Sequence, residues 1–206
     1  MRKTKKKFRS AKDVIAAIKY RTDEEQEALY DAEYSRGDYG NKENRRIRHE
    51  KHREFINKYA DPKDHILVTG CGRGELVRML VEDGYLTHGT EISEYVLANY
   101  LGDLDCFKLF YSELRTLYND SYEVVVSNDV LEHLNNEFEA EDAIKHFARI
   151  STKYVLFSIG VGLKPQIYHP LVCPVGWWRA LVEKYLVIVS EDFFKDSQFF
   201  FCEVSK

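Results

Sequence analysis

Cysteine is scarce and scattered: Cys71, Cys106, Cys173 and Cys202 stand singly, with no Cys-x-x-Cys pair. That excludes the ligand spacing of a structural zinc site, and no metal ligand set is expected from the sequence. The four thiols read as small buried or half-buried residues of a reducing compartment rather than as a disulfide framework. Long apolar runs are missing too, so no stretch approaches the roughly eighteen residues that span a bilayer. The basic opening, MRKTKKKFRS, lacks the apolar segment a secretory signal carries behind it, and the protein is expected in the cytoplasm. Positive charge is not in surplus: a net charge of −4 gives no general attraction to polyanions, so nucleic acid is not the expected partner. No internal repeat occurs. What is present, 206 residues with 44% hydrophobic and 31% charged, fits one well-filled globular domain, and a 14% aromatic share can furnish pockets.

The chain is organised around ILVTGCGRGELVRMLVEDGYLTHGTE, Ile66 to Glu91. Ile66-Leu67-Val68 is apolar, as a buried parallel strand requires, and runs into Gly70-Cys71-Gly72-Arg73-Gly74. From Glu75 to Glu82, Leu76, Val77, Leu80 and Val81 share a face at helical spacing, which puts the glycines at a helix N-terminus. Backbone without Cβ atoms can approach a ligand there, and the first helical N–H groups point outward. After Gly84 a second apolar run ends in Glu91, placed to accept hydrogen bonds from both hydroxyls of a ribose. A second run, SYEVVVSNDVLEHLNN over residues 121 to 136, predicts a buried central strand at Val124-Val125-Val126. Ligands of open α/β sheets bind beyond the carboxyl ends of the strands, so Asn128, Asp129 and His133 should share a crevice with Gly70 and Glu91.

The alternating Gly70, Gly72 and Gly74 resemble motif I of the class I S-adenosylmethionine-dependent methyltransferases, and Glu91 resembles their ribose-binding acid. Residues 121 to 136 resemble the F-D-x-V-x-x-x-D-V-L-E-H motif of one large group of these enzymes, with Tyr122-Glu123 in place of Phe-Asp. Val68 stands where the family usually carries an acid that helps hold the cofactor. The resemblance covers about residues 30 to 206 and implies an α/β fold: a Rossmann-like seven-stranded sheet with an antiparallel last strand, helices on both faces and a helical N-terminal extension. The terminal strand pair, at Leu186 to Val189 and Gln198 to Val204, fits that sheet better than an all-parallel dehydrogenase sheet. It further implies S-adenosyl-L-methionine as cofactor, with Thr69, Gly70, Cys71, Gly72, Gly74, Glu91, Ile92, Ser112, Glu113, Asn128 and Asp129 around it. Ser112 and Glu113 fall where the family brackets the adenine. No Asp-Pro-Pro-Tyr occurs, which speaks against amino-methylation of nucleic-acid bases.

Two parts are expected along the chain: residues 1–60, a basic tail with an N-terminal helical lid, and residues 61–206, the cofactor-binding domain. Residues 1–9 carry six Lys or Arg, a solvated tail or a dock for an anionic surface. Ser10 can cap a helix bearing Val14, Ile15 and Ile18, and an acidic helix follows from about Thr22 to Tyr34. Tyr30-Asp31-Ala32-Glu33-Tyr34-Ser35-Arg36-Gly37-Asp38-Tyr39-Gly40 reads as a lid or as surface packing. A basic helix from Glu43 to Tyr59 should point Ile47, Phe55 and Ile56 inward. Ser93 should cap a helix through Leu101, Cys106 to Phe110 should form a strand, and Glu137 to Ile150 a helix. Tyr154 to Ile159 is the fifth predicted strand, followed by a loop through Pro165, Tyr168-His169-Pro170 and Pro174, and a helix opened by Trp177-Trp178.

S-adenosylmethionine already carries an electrophilic methyl, so the protein chiefly aligns a nucleophile and excludes water. Asn128 and nearby carbonyls could face the methionine chain. A hydroxyl acceptor needs a base as the bond forms; His133 and His169 are the candidates, with Asp129 as orienter or direct base. Helix-start packing for His133 and a surface position for His169 are the alternatives. The expected function is O-methylation of a sugar or glycan hydroxyl, with Trp177, Trp178 and the tyrosines available to stack on pyranose faces. Another small molecule, an amine, a lipid precursor or RNA, an inactive nucleoside-binding scaffold, and a nicotinamide oxidoreductase remain as alternatives.

Overall fold

The structure is a computed structural model that describes residues 20–37, 41–162 and 166–205. The basic tail, the helix expected from Ser10, and Asp38 to Gly40 of the tyrosine–glycine stretch lie outside the described residues, as does Pro165.

Two helices come first, α1 (Asp23–Ser35) and α2 (Lys42–Tyr59). The first is stopped at its start by a capping box: the Thr22 hydroxyl accepts from the Glu25 N–H, and the Glu25 carboxylate accepts from the Thr22 N–H. Helix and strand then alternate: β1 (His65–Thr69), α3 (Glu75–Glu82), β2 (Leu86–Glu91), α4 (Glu94–Asn99), β3 (Cys106–Lys108), β4 (Tyr122–Asn128), α5 (Glu137–Ile150) and β5 (Ser151–Gly160). Short 3₁₀ turns cover Tyr111–Thr116 and Leu131–His133. The chain closes with α6 (Val175–Val182), β6 (Val187–Phe194) and β7 (Ser197–Glu203).

The seven strands form one sheet in the order β3-β2-β1-β4-β5-β7-β6, parallel except for β7, which runs antiparallel to both neighbours. This is the expected α/β sheet with its antiparallel last strand: β7 lies between β5 and β6 and runs against both. Strand alternation sorts the side chains onto two faces. Leu67, Val125, Val155, Phe157, Phe200 and Cys202 pack with α5 and α6, where Phe147 and Trp178 are wholly buried. Ile66, Val68, Val124, Val126, Leu156, Phe199 and Phe201 pack on the opposite face against Phe55 and Ile56 of α2 and Leu76, Val77 and Leu80 of α3. Val68 is thus core, 1% exposed, among apolar neighbours.

The inward face of α2 departs from the expected one. Ile47 is half-buried, and the buried residues are His49, His52, Phe55 and Ile56. His52 is fully buried against the rings of Phe199 and Phe201 with Asn128 alongside, and loss of water drives its pKa down to about 3.

The register places the carboxyl ends of β1, β2, β4 and β5 along one edge, with Thr69 beside both Thr90 and Ser127, and Asn128 beside Ser158. Because β7 is antiparallel, it begins at that same edge, Ser197 facing Gly160. The β6–β7 turn is pinned there by the Asp196 carbonyl, which accepts from the Val161 N–H at 2.7 Å.

Candidate active site

The glycine loop leaves β1 in left-handed conformations, with φ of 60° at Gly70, 53° at Gly72 and 74° at Gly74. Gly70 is obligatory for a second reason: a Cβ there would lie 2.6 Å from Val130 Cγ2, so the turn after β4 closes directly on the loop. A Cβ at Gly72 would stand 3.0 Å from the Tyr34 hydroxyl, which makes this glycine the floor under α1. The Cys71 N–H donates to the Thr90 carbonyl at 2.8 Å, tying the loop to β2. Gly74 caps α3 without a side-chain bond, so the helix start keeps free N–H groups for a ligand.

Glu91 ends β2 with its carboxylate buried beneath the loop. One oxygen accepts from the N–H of Ile92 at 2.7 Å and of Ser93 at 2.9 Å, and the other from the N–H of Gly72 at 2.9 Å. Burial raises its pKa, and the three N–H donors oppose that rise. A carboxylate offers about four acceptor sites, so the oxygen that holds Gly72 keeps one in hand.

Helix α1 is fastened over this edge by polar contacts along its length. The Asp31 carboxylate accepts from the Ser93 hydroxyl and, at 3.0 Å, from the Tyr95 N–H. Glu27 pairs with Lys108 at 2.8 Å, Asp23 accepts from the Ser112 hydroxyl, and Glu33 accepts from the Tyr168 hydroxyl at 2.7 Å. Between α1 and the strand ends lies a cleft with two compartments. The wider one, about 320 Å³, is bordered by Tyr30, Tyr34, Cys71, Gly72, Asn128 and His169. A narrower slot of about 60 Å³ is bordered by Glu91, Ile92, Leu109, Tyr111, Val130 and Leu134. Tyr30, Tyr34, Gly70, Asp129 and His133 border both.

Beyond β4 the chain turns at Asp129, whose φ is 53°, with its N–H donating to the Ser158 carbonyl at 2.9 Å. A non-glycine residue in this conformation next to a cleft is stored strain of the kind found at functional sites. Its carboxylate is 2.7 Å from Arg48 Nε and accepts from Ser197, and Asn128 Oδ1 accepts from the Ser158 hydroxyl at 3.0 Å. Glu132 is buried, with one oxygen accepting from the Gly160 N–H at 2.8 Å; desolvation, reinforced by nearby Asp129, pushes its pKa up to about 8. His133 is held by the Tyr168 carbonyl through Nδ1, and the rings of His133 and His169 lie 4.6 Å apart. Desolvation lowers both imidazoles to about 4.

Of the residues read from the sequence, Gly70, Cys71, Gly72, Glu91, Ile92, Asn128, Asp129, His133 and His169 border the cleft. Thr69 lies below it, its hydroxyl donating to the Val126 carbonyl and accepting from Tyr111. Ser112 and Glu113 border neither compartment: the first bonds to Asp23, and the second caps its own turn by accepting from the Phe110 N–H at 3.0 Å. Leu109 and Tyr111, on either side of Phe110, face the slot in their place. The tryptophan pair corrects an expectation. Trp178 has no exposed surface and the half-buried Trp177 packs against the same core; neither borders the cleft, where Tyr30, Tyr34 and Tyr168 supply the rings. Sequence reasoning missed Glu132, although it stands inside the second motif, and missed Arg48 and His49, whose helix reads as a solvated basic one.

With that geometry in place, comparisons with known proteins give a consistent class. Residues 67–156 match the methyltransferase domain family. The magnesium protoporphyrin IX methyltransferase of Synechocystis, solved with bound S-adenosylhomocysteine, is similar at 18% identity and a TM-score of 0.65, covering 86% of this chain and 94% of that one. A SAM-dependent methyltransferase of Archaeoglobus fulgidus aligns at 14% identity and a TM-score of 0.62, over 77% of this chain and 94% of that one. A TehB-like SAM-dependent methyltransferase of Corynebacterium glutamicum aligns at 17% identity and a TM-score of 0.59, over 74% and 85%. No curated protein sequence matches. The shared fold and the matched segment support an enzyme of the methyltransferase type.

Proposed function

We propose that this enzyme methylates a hydroxyl group, of a sugar or glycan in the first instance. In this reading the adenine enters the slot between Ile92, Leu109, Val130 and Leu134, and Glu91 takes a ribose hydroxyl on its remaining acceptor site. The methionine end then runs past Gly70 toward Asn128, and the methyl faces the wider compartment. The observation that carries the reading is the chemistry of that compartment: three tyrosine rings beside Glu33, Asn128, Asp129 and two imidazoles. Rings with interleaved carboxylate and amide groups suit a polyhydroxylated acceptor, whose apolar faces stack and whose hydroxyls pair.

A neutral imidazole held near 4 is a weak base, so His133 and His169 alone give a hydroxyl little help in losing its proton. Methyl transfer from isotopically labelled S-adenosylmethionine to a panel of monosaccharides, nucleotide sugars and oligosaccharides tests the acceptor class. Product analysis should find the label as an O-methyl ether on a ring hydroxyl. Label found on nitrogen or sulfur, with every hydroxyl acceptor inert, rejects this proposal.

A further inference from the structure

Two imidazoles and one carboxylate converge at the floor of the wider compartment. Glu132, His133 and His169 each present a ligand atom, and all of these atoms lie within 4.8 Å of one another. Glu132 is 2% exposed, and while one of its oxygens is bonded to the Gly160 N–H, the other is buried with no hydrogen-bond partner among the described residues. A buried carboxylate oxygen left without a donor is costly, and a cation bound in front of it would remove that cost.

The outer partners point the same way. The Tyr168 carbonyl accepts the Nδ1 proton of His133, which puts the lone pair on Nε2, and the Asp129 backbone carbonyl also lies against this ring. A backbone carbonyl on the far nitrogen is the usual support of a metal-bound imidazole. Tyr168 is itself steadied through its hydroxyl by Glu33. His169 has its Nδ1 2.6 Å from the Gln166 carboxamide, in a turn closed by reciprocal backbone bonds between the same two residues. With the carboxamide oxygen toward the ring, Gln166 accepts the Nδ1 proton and His169 also presents Nε2.

We propose that Glu132, His133 and His169 bind one divalent transition-metal ion, and that its remaining coordination positions take the acceptor hydroxyl. Two nitrogen donors and one oxygen suit zinc, cobalt, iron or manganese better than calcium or magnesium. Ligand atoms bound at about 2.1 Å to one ion sit roughly 3 to 4 Å from each other, so the cluster has to close by about an ångström. Metal binding as such does not depend on the methyltransferase reading, whereas the role in catalysis rests on it. In that role the ion acidifies the hydroxyl as it does bound water, and the proton leaves through the open cleft to solvent. The alkoxide lone pair forms the O–CH₃ bond as the C–S bond breaks, and that electron pair returns to sulfur, turning the sulfonium into the neutral thioether.

The experiment titrates the full chain, stripped of metal, with Co²⁺ while following its visible absorption, and with Zn²⁺ by competition. One equivalent should bind. Glu132→Gln, which keeps an oxygen for the Gly160 N–H, and His169→Ala, on a half-exposed loop, should each weaken binding more than about 100-fold, beyond the 10–100-fold of an outer partner. Binding of S-adenosylhomocysteine, measured on the same samples, should be unchanged, and circular dichroism checks that each variant is folded. Absence of Co²⁺ and Zn²⁺ uptake at millimolar concentration, or equal affinity in wild type and folded His169→Ala, overturns the proposal. Metal uptake without S-adenosylhomocysteine binding leaves the ion site standing and removes its catalytic role. In the reverse case the methyl-donor site stands and the metal site falls.

Discussion

Gly70 and Glu91 fix the glycine loop after β1 from opposite sides, and each makes a distinct prediction. Alanine at position 70 would meet both a left-handed backbone and the Val130 methyl group at 2.6 Å, a contact that cannot relax without moving the turn after β4. Gly70→Ala is therefore expected to cost more than about 1 kcal/mol in stability and to weaken S-adenosylhomocysteine binding; calorimetry showing wild-type affinity would disprove the close approach. Glu91→Ala removes the acceptor of the Gly72, Ile92 and Ser93 N–H groups together with the proposed ribose contact. Charge-assisted bonds are worth about 1.5–3 kcal/mol each, so cofactor affinity should drop at least about tenfold. An unchanged dissociation constant would show that the ribose lies elsewhere.

Helix α1 behaves as a strap: its sequence is mostly polar, and of its residues only Tyr34 is buried. What fixes it is a row of side-chain bonds to α4, β3 and the loop carrying Tyr168, each partly open to water and individually weak. The slot beneath it, at about 60 Å³, is well under the roughly 300 Å³ of small-molecule sites, so α1 has to lift for an adenosine to pass. Asp31→Ala should speed amide exchange across Asp23–Ser35 while leaving β1, β4 and β5 protected, and bound cofactor should restore protection. Uniform exchange in wild type and variant would mean the strap is held by packing alone. The strand–glycine–helix unit and α5 were legible in the sequence because a period of 2 or 3.6 settles each locally, and the structure adds a cap, Asn136 accepting from the Glu139 N–H at the start of α5. The inward histidines of α2 were not, since in KENRRIRHEKHREFINKY a buried His looks like one more surface charge. Nor was the fate of Trp177-Trp178, because an aromatic pair at a helix start fits a ligand or a core equally well until the sheet face above it is known. The convergence of Glu132, His133 and His169 was hidden for a related reason: α5 and β5 lie between the histidines in sequence, and only the parallel pairing of β4 with β5 brings the following loop back.

For the molecule as a whole, stability rests on two apolar layers pressed against one sheet. Phe147, wholly buried between α5 and the sheet, touches the rings of Tyr111 and Phe157; Phe147→Ala should lower the unfolding free energy by about 3–5 kcal/mol in a denaturant titration. Acid should act through His52. Its folded pKa of about 3 lies below the usual 6.5, so between those values the unfolded chain binds the extra proton and stability falls as pH falls. His52→Phe should flatten that decline by up to about 1.4 kcal/mol per pH unit, read from denaturation midpoints at pH 7, 6, 5 and 4, and identical slopes would show that another group governs acid unfolding. The reversed strand β7 has a practical corollary. Its first residue, Ser197, stands beside Gly160 at the cleft, whereas Glu203 pairs with Tyr154 and Val187 at the opposite rim. A handle for immobilisation or a fluorophore grafted after Glu203 therefore points away from the cleft, while one attached at Tyr20 sits next to Arg21, which is bonded to Asn135, on the side of α1.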